Sequence, residues 1–448
     1  MTGFTIAQAR AACGGRLSAP CEENTALGSV VIDSRKVQPG DLFVAYRGER
    51  ADGHDYIGTA FDKGAACCLA ERVPEGETRP VLLTDDVQQA LERIAAAYRG
   101  TLSLPIVGIT GSVGKTSAKE MIAAVLSQRY ATCKTEGNLN NQIGVPMTVS
   151  RITPSHGAAV VEMGISGFGE MTALARIVRP TVAVFTVIGH AHLEFLGDLA
   201  GVFRAKTELL PFVAPDGAVV VNGDDPYLKT LCCPQRVLRV GLGEDCALRA
   251  VELRPLGESG TACTLVYGER RIPVTIPAFG RHMVYAALEG AAVGLLLGLT
   301  DEEIAAGIAA FRPVGRRAAV TDTGFVTLID DCYNSNPDSL RCGLDSLAGL
   351  PGRHVAILGD MLEMGEGAPE LHRELGRYAR EKGTALVLAV GELGYGFAEG
   401  AGENGRWFPD SAALIAALPE LLQRGDAVLV KASRGMRFEE IAEAVKTL

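Results

Sequence analysis

The chain has 448 residues, of which 47% are hydrophobic and 21% charged, and a formal net charge of −10. At about 100–200 residues per domain this length suggests two to four domains, with ample material for buried cores. The acidic excess argues against a nucleic-acid or anionic-membrane surface, although a local basic pocket for a phosphorylated metabolite remains compatible with it. The eleven cysteines are scattered and show no C-x-x-C spacing, so reduced thiols in a cytoplasmic protein are expected rather than a zinc or redox centre. The start, "MTGFTIAQARAACGG", lacks an apolar stretch behind a basic one. The most apolar later segment, "VYAALEGAAVGLLLGL", carries Glu289 and is short for a bilayer.

The first eighty or so residues mix short strands with turns, as in "SVVIDSRKVQPGDLFVAYRG". A helical stretch, "VQQALERIAAAYRGTL", leads into the apolar "PIVGIT". From there strands and helices alternate through "AAVVEMG", "TVAVFTVI" and "AVVVNGDD". Continuous apolar strands separated by amphipathic helices indicate a parallel sheet covered on both faces. Residues 247–276 alternate in polarity like exposed strands, and an Ala-rich helix follows. "FRPVGRRAAV" (311–320) combines Pro, Gly and three Arg, which marks a boundary. Beyond it "FVTLIDD", "HVAILGD", "ALVLAV" and "AVLVKAS" form a second α/β unit. The expected fold class is α/β in three domains: a small α/β domain (1–84), a central P-loop parallel sheet (85–313) and a Rossmann-like C-terminal domain (314–448).

The chemistry begins at "IVGITGSVGKTS" (106–117). A strand, a Gly-containing turn and Lys-Thr at a helix start place backbone N–H groups and a helix N-terminus against an anion. The usual pattern is G-x-x-x-x-G-K-[ST]. Here Ile109 stands where the first Gly belongs, and the flexible residue is Gly111. Thr110, Gly111, Ser112, Val113, Gly114, Lys115, Thr116 and Ser117 are the candidate ATP-binding residues. Lys115 would reach the terminal phosphates, and Thr116 or Ser117 could offer a hydroxyl to Mg²⁺. No N-K-x-D motif for guanine occurs, which favours ATP. Glu162 ends the next apolar strand, where ligands of open α/β sheets sit, and is placed to hold a metal against the phosphates. The strand after that ends in "GHAHLEFLG" with His190, His192 and Glu194, and Lys206 follows in "FRAKTELL". Spacing alone does not choose between the two histidines.

With these residues in hand, "TGSVGKTSAKEM", "GNLNNQIGVPMT", "AHLEFLGDLAGVFRAKTELL", "GRHMVYAALEGA", "LIDDCYNSNPDS", "LGDMLEMG" and "VKASRGM" resemble the Mur ligases of peptidoglycan synthesis. They look most like the members that join D-alanyl-D-alanine to UDP-N-acetylmuramoyl-tripeptide. "DSRKVQPGDLFVAYRGERADGHDYI" resembles the nucleotide-sugar domain of those enzymes. The resemblance implies that ATP phosphorylates the peptide carboxylate and that the dipeptide amine then attacks the acyl phosphate. It also implies two Mg²⁺ ions: Glu162 and the loop hydroxyl Thr116 would serve one. His192 of "AHLE" and Lys206, carried as a carbamate, would complete the metal site. Arg316 matches an arginine that reaches the phosphates on domain closure, Asp331 a ribose-contacting acid, and His282 of "GRHM" an ATP contact. Tyr333, Asn334 and Asn336 would face the dipeptide, and Asn138 and Asn141 the substrate loop. Ser34, Arg35 and His54 are candidates for the UDP-sugar peptide. The partners implied are small molecules, and nothing demands more than a monomer.

Two departures stand out. The family usually has Asn after the His of "GRHM", where Met283 stands here and cannot make an amide bond to adenine. Ala432 replaces the usual Gly after Lys431. The competing readings are a related ligase that adds a single amino acid, and a P-loop nucleotide switch without ligase activity. The second would explain the loop but not Glu162, His192, Lys206 and an Arg-bearing hinge together.

Overall fold

The computed structural model describes residues 1–48 and 51–448, so Glu49 and Arg50 of the first-domain motif lie outside the described residues. Three sheets follow one another along the chain, with five, nine and six strands. The first runs Arg16–Leu17, Val81–Leu83, Cys67–Ala70, Leu42–Val44, Val30–Val31, parallel except at the Arg16–Leu17 edge.

The central sheet is built outward from Ile106–Thr110, the strand that enters the phosphate loop. On one side lie Ala158–Glu162 and then Thr132–Lys134; on the other lie Val182–Phe185, Ala218–Asn222, Arg236–Gly241 and Leu248–Pro255, all parallel. Thr261–Tyr267 and Arg270–Ile276 extend it as antiparallel strands, in keeping with their alternating polarity. Chain order reverses at Ile106–Thr110, so the connections leave opposite faces and open a crevice at the carboxyl ends. Thr110 stands opposite Phe185 and Ile109 opposite Glu162, which brings the ends of three strands to one level. The five residues of Ile106–Thr110 are all buried, as the unbroken apolar run predicts for a strand covered twice.

The third sheet runs Ala319–Asp322, Thr327–Asp330, Ala427–Lys431, His354–Gly359, Leu386–Val390, Gly405–Phe408. Four of these strands are the apolar runs read from the sequence. Ala319–Asp322 and Gly405–Phe408 are edge strands, partly exposed and too short for a periodic signal. Cores cover both faces of this sheet.

Helix Val87–Arg99 joins the first two sheets. Asp86 caps it by accepting from the Gln89 N–H, and it buries Val87, Ala90, Leu91, Ile94, Ala95 and Tyr98. These residues share one core with Leu42 and Leu69 of the first sheet and Ile106 and Val161 of the second. Each buried Leu or Ile contributes roughly 1.5–3 kcal/mol, so the first two units are joined by an apolar core rather than a polar contact. Among the described residues no helix is long and apolar enough to cross a membrane.

Helix Met283–Leu296 packs on the phosphate-loop helix Lys115–Leu126 and carries Glu289 into the core. Glu289 is 2% exposed and its Oε1 has no hydrogen-bond partner. Burial pushes its carboxyl from the ordinary 4.5 up to about 8. The unfolded chain releases this proton near its ordinary pKa while the folded chain keeps it. The stability contribution is therefore complete below about 4.5 and is lost as pH rises through about 8. Glu289→Met, similar in volume and a good helix former, is expected to raise Tm at pH 8 by at least about 3 °C and by less at pH 5. Equal shifts in thermal melts at the two pH values would show that the carboxyl is not protonated in the fold.

Candidate active site

The strand Ile106–Thr110 ends in a loop that turns into helix Lys115–Leu126. Gly111 has φ +150°, and a Cβ there would run into the Thr186 hydroxyl; Gly114 enters the helix at φ +83°. The shifted glycine therefore answers a close approach from the neighbouring strand end. Thr186 Oγ1 donates to the Val113 carbonyl at 2.5 Å, and Ser112 Oγ bonds both the N–H and the carbonyl of Gly189 at 2.9 Å. Lys115 curls over the loop, its Nζ donating to the Gly111 carbonyl at 2.7 Å. Burial lowers its pKa; Glu162 opposes that shift and Arg317 adds to it.

Beneath the loop lies Glu162, 1% exposed. Thr116 Oγ1 donates to its two oxygens at 3.2 and 3.0 Å, and Asn140 Nδ2 donates to Oε1 at 2.7 Å. The buried Lys119 ammonium stands 3.8 Å from Oε2. Asn140 and Lys119 escaped the sequence reading, which chose the flanking asparagines. Asn138 is exposed, and Asn141 Oδ1 accepts from the Ile143 and Gly144 N–H groups, so its amide holds a turn. The available signal was position: Lys119 is one helical turn from Lys115, facing the same strand end.

The next strand end carries both histidines. His190 turns to the C-terminal domain, where Asp338 Oδ2 accepts from its backbone N–H at 2.5 Å and lies 3.2 Å from its Nδ1. That hydrogen bond raises the His190 pKa. Burial acts against ionisation of Asp338, yet the His190 hydrogen bonds hold its carboxyl below the ordinary value. His192 sits at φ +55° and its Nδ1 lies 2.5 Å from Glu363 Oε2. Burial lowers its pKa, while Glu363 pulls the other way. Lys206, in helix Leu199–Thr207, is 1% exposed, and no carboxylate among the described residues pairs with it. Burial, reinforced by the Lys115 charge, drives its pKa well below the ordinary value, so the amine is held towards its neutral form.

Across the crevice Asp331 accepts from Lys431 Nζ at 2.6 Å and from the Ala318 N–H at 3.1 Å. His282, its pKa lowered by burial, feels both Asp331 and Lys431. Thr116, Ser117, Phe279, Met283, Val314 and Arg317 line a slot between the loop helix and the hinge, with the Met283 thioether as an apolar wall. Arg316, which the resemblance brings to the phosphates, here donates to Asp330 Oδ2 at 2.7 Å and Glu443 Oε1 at 2.6 Å. Arg317 instead lies 4.0 Å from the centre of the Tyr333 ring. Asn334 is exposed and lends its carbonyl to Lys431. Asn336 is buried and caps helix Pro337–Ala348, its Oδ1 accepting from the Ser339 N–H.

In the first domain His54 lies in the interior. It is 1% exposed, its Nδ1 lies 2.6 Å from Asp52 and its Nε2 accepts from the Glu71 N–H, leaving no ring atom for a ligand. Ser34 is buried at the start of a short 3₁₀ turn that Asp33 caps. Arg35 extends into solvent, paired with Asp33.

A P-loop at a sheet switch point, faced by a Rossmann-like domain across a crevice rich in cations, defines a nucleotide-dependent group-transfer enzyme. Residues 27–99 match the Mur ligase catalytic domain, 109–294 the Mur ligase middle domain, and 315–434 the Mur ligase glutamate ligase domain. The chain is 36% identical to a UDP-N-acetylmuramoyl-tripeptide--D-alanyl-D-alanine ligase of Bacillus subtilis, over 96% of this chain and 95% of that one. Its fold is similar to a crystal structure of MurF from Acinetobacter baumannii, with TM-score 0.90, 29% identity and 99% of each chain covered. It is also similar to MurF ligase from Thermotoga maritima in complex with ADP, with TM-score 0.82, 28% identity, and 94% and 97% of the two chains covered. The chain belongs to the Mur ligase family. It is an ATP-dependent ligase.

The ion pair between His190 and Asp338 spans the central and C-terminal units and is only about a third exposed. Asp338→Ala is expected to leave the protein more extended than wild type when both are saturated with an ATP analogue and UDP substrate. Small-angle scattering reads this directly, and superimposable profiles would remove the pair from domain closure.

Proposed function

We propose that this chain joins D-alanyl-D-alanine to UDP-N-acetylmuramoyl-tripeptide at the expense of ATP, in the cytoplasmic stage of peptidoglycan precursor synthesis. One observation carries the reading: Lys115, the Thr116–Glu162 pair, His192 and Lys206 converge at neighbouring strand ends, in a chain that aligns end to end with ligases of that name. A carboxylate is a poor electrophile because it is anionic and its oxygen leaves badly. In the first step a carboxylate oxygen of the tripeptide attacks the γ-phosphorus. The bond to the β,γ-bridging oxygen breaks, and that oxygen leaves with its electron pair as ADP. In the second step the free amine of the dipeptide attacks the acyl carbon. The C–O bond to phosphate breaks, and the proton shed by the amine departs with the phosphate. Two anions must approach in the first step, so cations such as Lys115 lower the barrier by offsetting repulsion.

The residues present fit magnesium. Among the described residues no group of three His, Cys, Asp or Glu converges, but Mg²⁺ takes one or two carboxylates and fills its remaining positions with phosphates and water. Thr116 and Glu162 would hold one ion, His192 and a carbamylated Lys206 a second. Magnesium so held supplies positive charge to the phosphate oxygens and the acyl oxygen. The buried, uncompensated Lys206 amine suits carbamylation, because only a neutral amine adds CO₂, and the product is an anion where a cation would repel the metal.

Phosphate release from ATP with UDP-muramoyl-tripeptide is expected to require D-alanyl-D-alanine. Release supported equally by a single amino acid would sink the dipeptide assignment, and release without any acceptor would favour a nucleotide switch. Lys206→Ala is expected to lose at least about 10²-fold in kcat, with part of the loss restored by acetate or formate standing in for the carbamate. Wild-type turnover in that variant would take Lys206 out of the site.

A further inference from the structure

Glu363 lies in the turn between the strand His354–Gly359 and the helix Ala368–Glu381. Its Oε2 is 2.5 Å from His192 Nδ1, and its carbonyl accepts from the Glu194 N–H at 3.3 Å. Side chain and backbone of one residue thus grip both flanks of Leu193, across the boundary between the central and C-terminal domains. Among the described residues six other than glycine have positive φ, and His192 (+55°) and Glu363 (+61°) are two of them. Left-handed backbone is unfavourable for residues with a Cβ and persists only where the surroundings hold it. Both partners of this one contact carry it, which marks a contact that the fold is arranged to make.

The interior of the C-terminal domain braces this turn. His372, fully buried, donates from Nδ1 to the Ala368 carbonyl at 2.6 Å and accepts the Met361 N–H at Nε2, 2.9 Å away. Ser433 Oγ accepts the next N–H, of Leu362, at 2.9 Å, and Met361 and Met364 are both buried. The backbone leading to Glu363 is therefore fixed, while its half-exposed carboxylate reaches across to His192. A neutral imidazole carries one N–H and one lone pair, and the partner of the N–H decides which nitrogen can bind a cation. A carboxylate at Nδ1 keeps the proton there and leaves the lone pair on Nε2, the way metal-ligating histidines are commonly oriented. His192 Nε2 makes no hydrogen bond among the described residues. The ring lies near enough to Lys115 and Lys206 for both charges to act on it.

We propose that Glu363 is a positioning residue for the metal site: its carboxylate holds the His192 proton on Nδ1 and so presents Nε2 to magnesium. His372 and Ser433 brace the turn that carries it. The assignment rests on the reading that His192 faces the metal, and adds to it the group that sets the tautomer and direction of the ring.

The test compares full-length wild type, Glu363→Ala and Glu363→Gln, labelled with ¹⁵N at histidine and free of metal, at about pH 8, where an ordinary imidazole is neutral. The ring nitrogen chemical shifts report the tautomer, and His192→Ala identifies the His192 signals. Wild type is expected to show the Nδ1–H form. Glu363→Ala is expected to move toward the Nε2–H form that neutral imidazole favours in water, with Tm within about 2 °C of wild type. Glu363→Gln, whose amide oxygen accepts the same N–H, is expected to keep the Nδ1–H form. Mn²⁺ is then titrated by electron paramagnetic resonance with ADP present. The ion whose binding is lost in His192→Ala is expected to bind about 10–100-fold more weakly in Glu363→Ala, and within about threefold of wild type in Glu363→Gln. A wild type in the Nε2–H form would overturn the assignment, as would a Glu363→Ala that matches wild type in either measurement. A His192→Ala that loses no ion would overturn the metal reading of His192, a failure distinct from an unchanged tautomer in Glu363→Ala.

Discussion

A single desolvated carboxylate organises the central domain. Glu162 stands at the end of a buried strand at 1% exposure, where an uncompensated negative charge would be strongly disfavoured. The chain answers with a hydroxyl from Thr116, an amide from Asn140 and the buried ammonium of Lys119, each from a different distance along the sequence. These contacts pin the first turn of the loop helix to the neighbouring strand, and Lys115 lies within that turn. The carboxylate that fixes the loop is also the one proposed above to hold magnesium against phosphate. On that proposal, structural compensation and substrate binding would be one arrangement.

The same economy governs the neighbouring strand end. Thr186 and Gly189 hold the phosphate loop from the side, and the segment that follows them carries His190 and His192 toward the C-terminal domain. The phosphate loop and both histidines are thus connected through one strand end to Asp338 and Glu363 of that domain. The positive φ of His192 belongs here: the backbone is bent into a left-handed turn where an extended chain would carry the ring past Glu363.

Strand ends and loop chemistry were legible in the sequence because they depend on local order: apolar runs set the strands, and Gly-x-x-Gly-Lys-Thr at a strand–helix junction sets an anion site. What was not legible depends on side-chain direction. Asn138, Asn140 and Asn141 are equivalent in composition, and only the fold shows that the middle one reaches Glu162 while Asn141 holds a turn. His54 and Asn336 look like exposed polar recognition residues, yet both are buried and each accepts from a backbone N–H, of Glu71 and of Ser339. Arg316 and Arg317 differ by one position, and only the fold shows that Arg316 pairs with Asp330 and Glu443 while Arg317 lies on the Tyr333 ring.

Division of the site between two domains has a chemical reason. An acyl phosphate is wasted if water reaches it before the amine does, so the intermediate is best formed only when the cleft is shut. Contacts across the crevice at His190–Asp338 and His192–Glu363 lie beside the strand ends where that intermediate would form. Closure at these two contacts would bring the wall of the C-terminal domain against the phosphate loop, so that water is excluded where the amine must arrive.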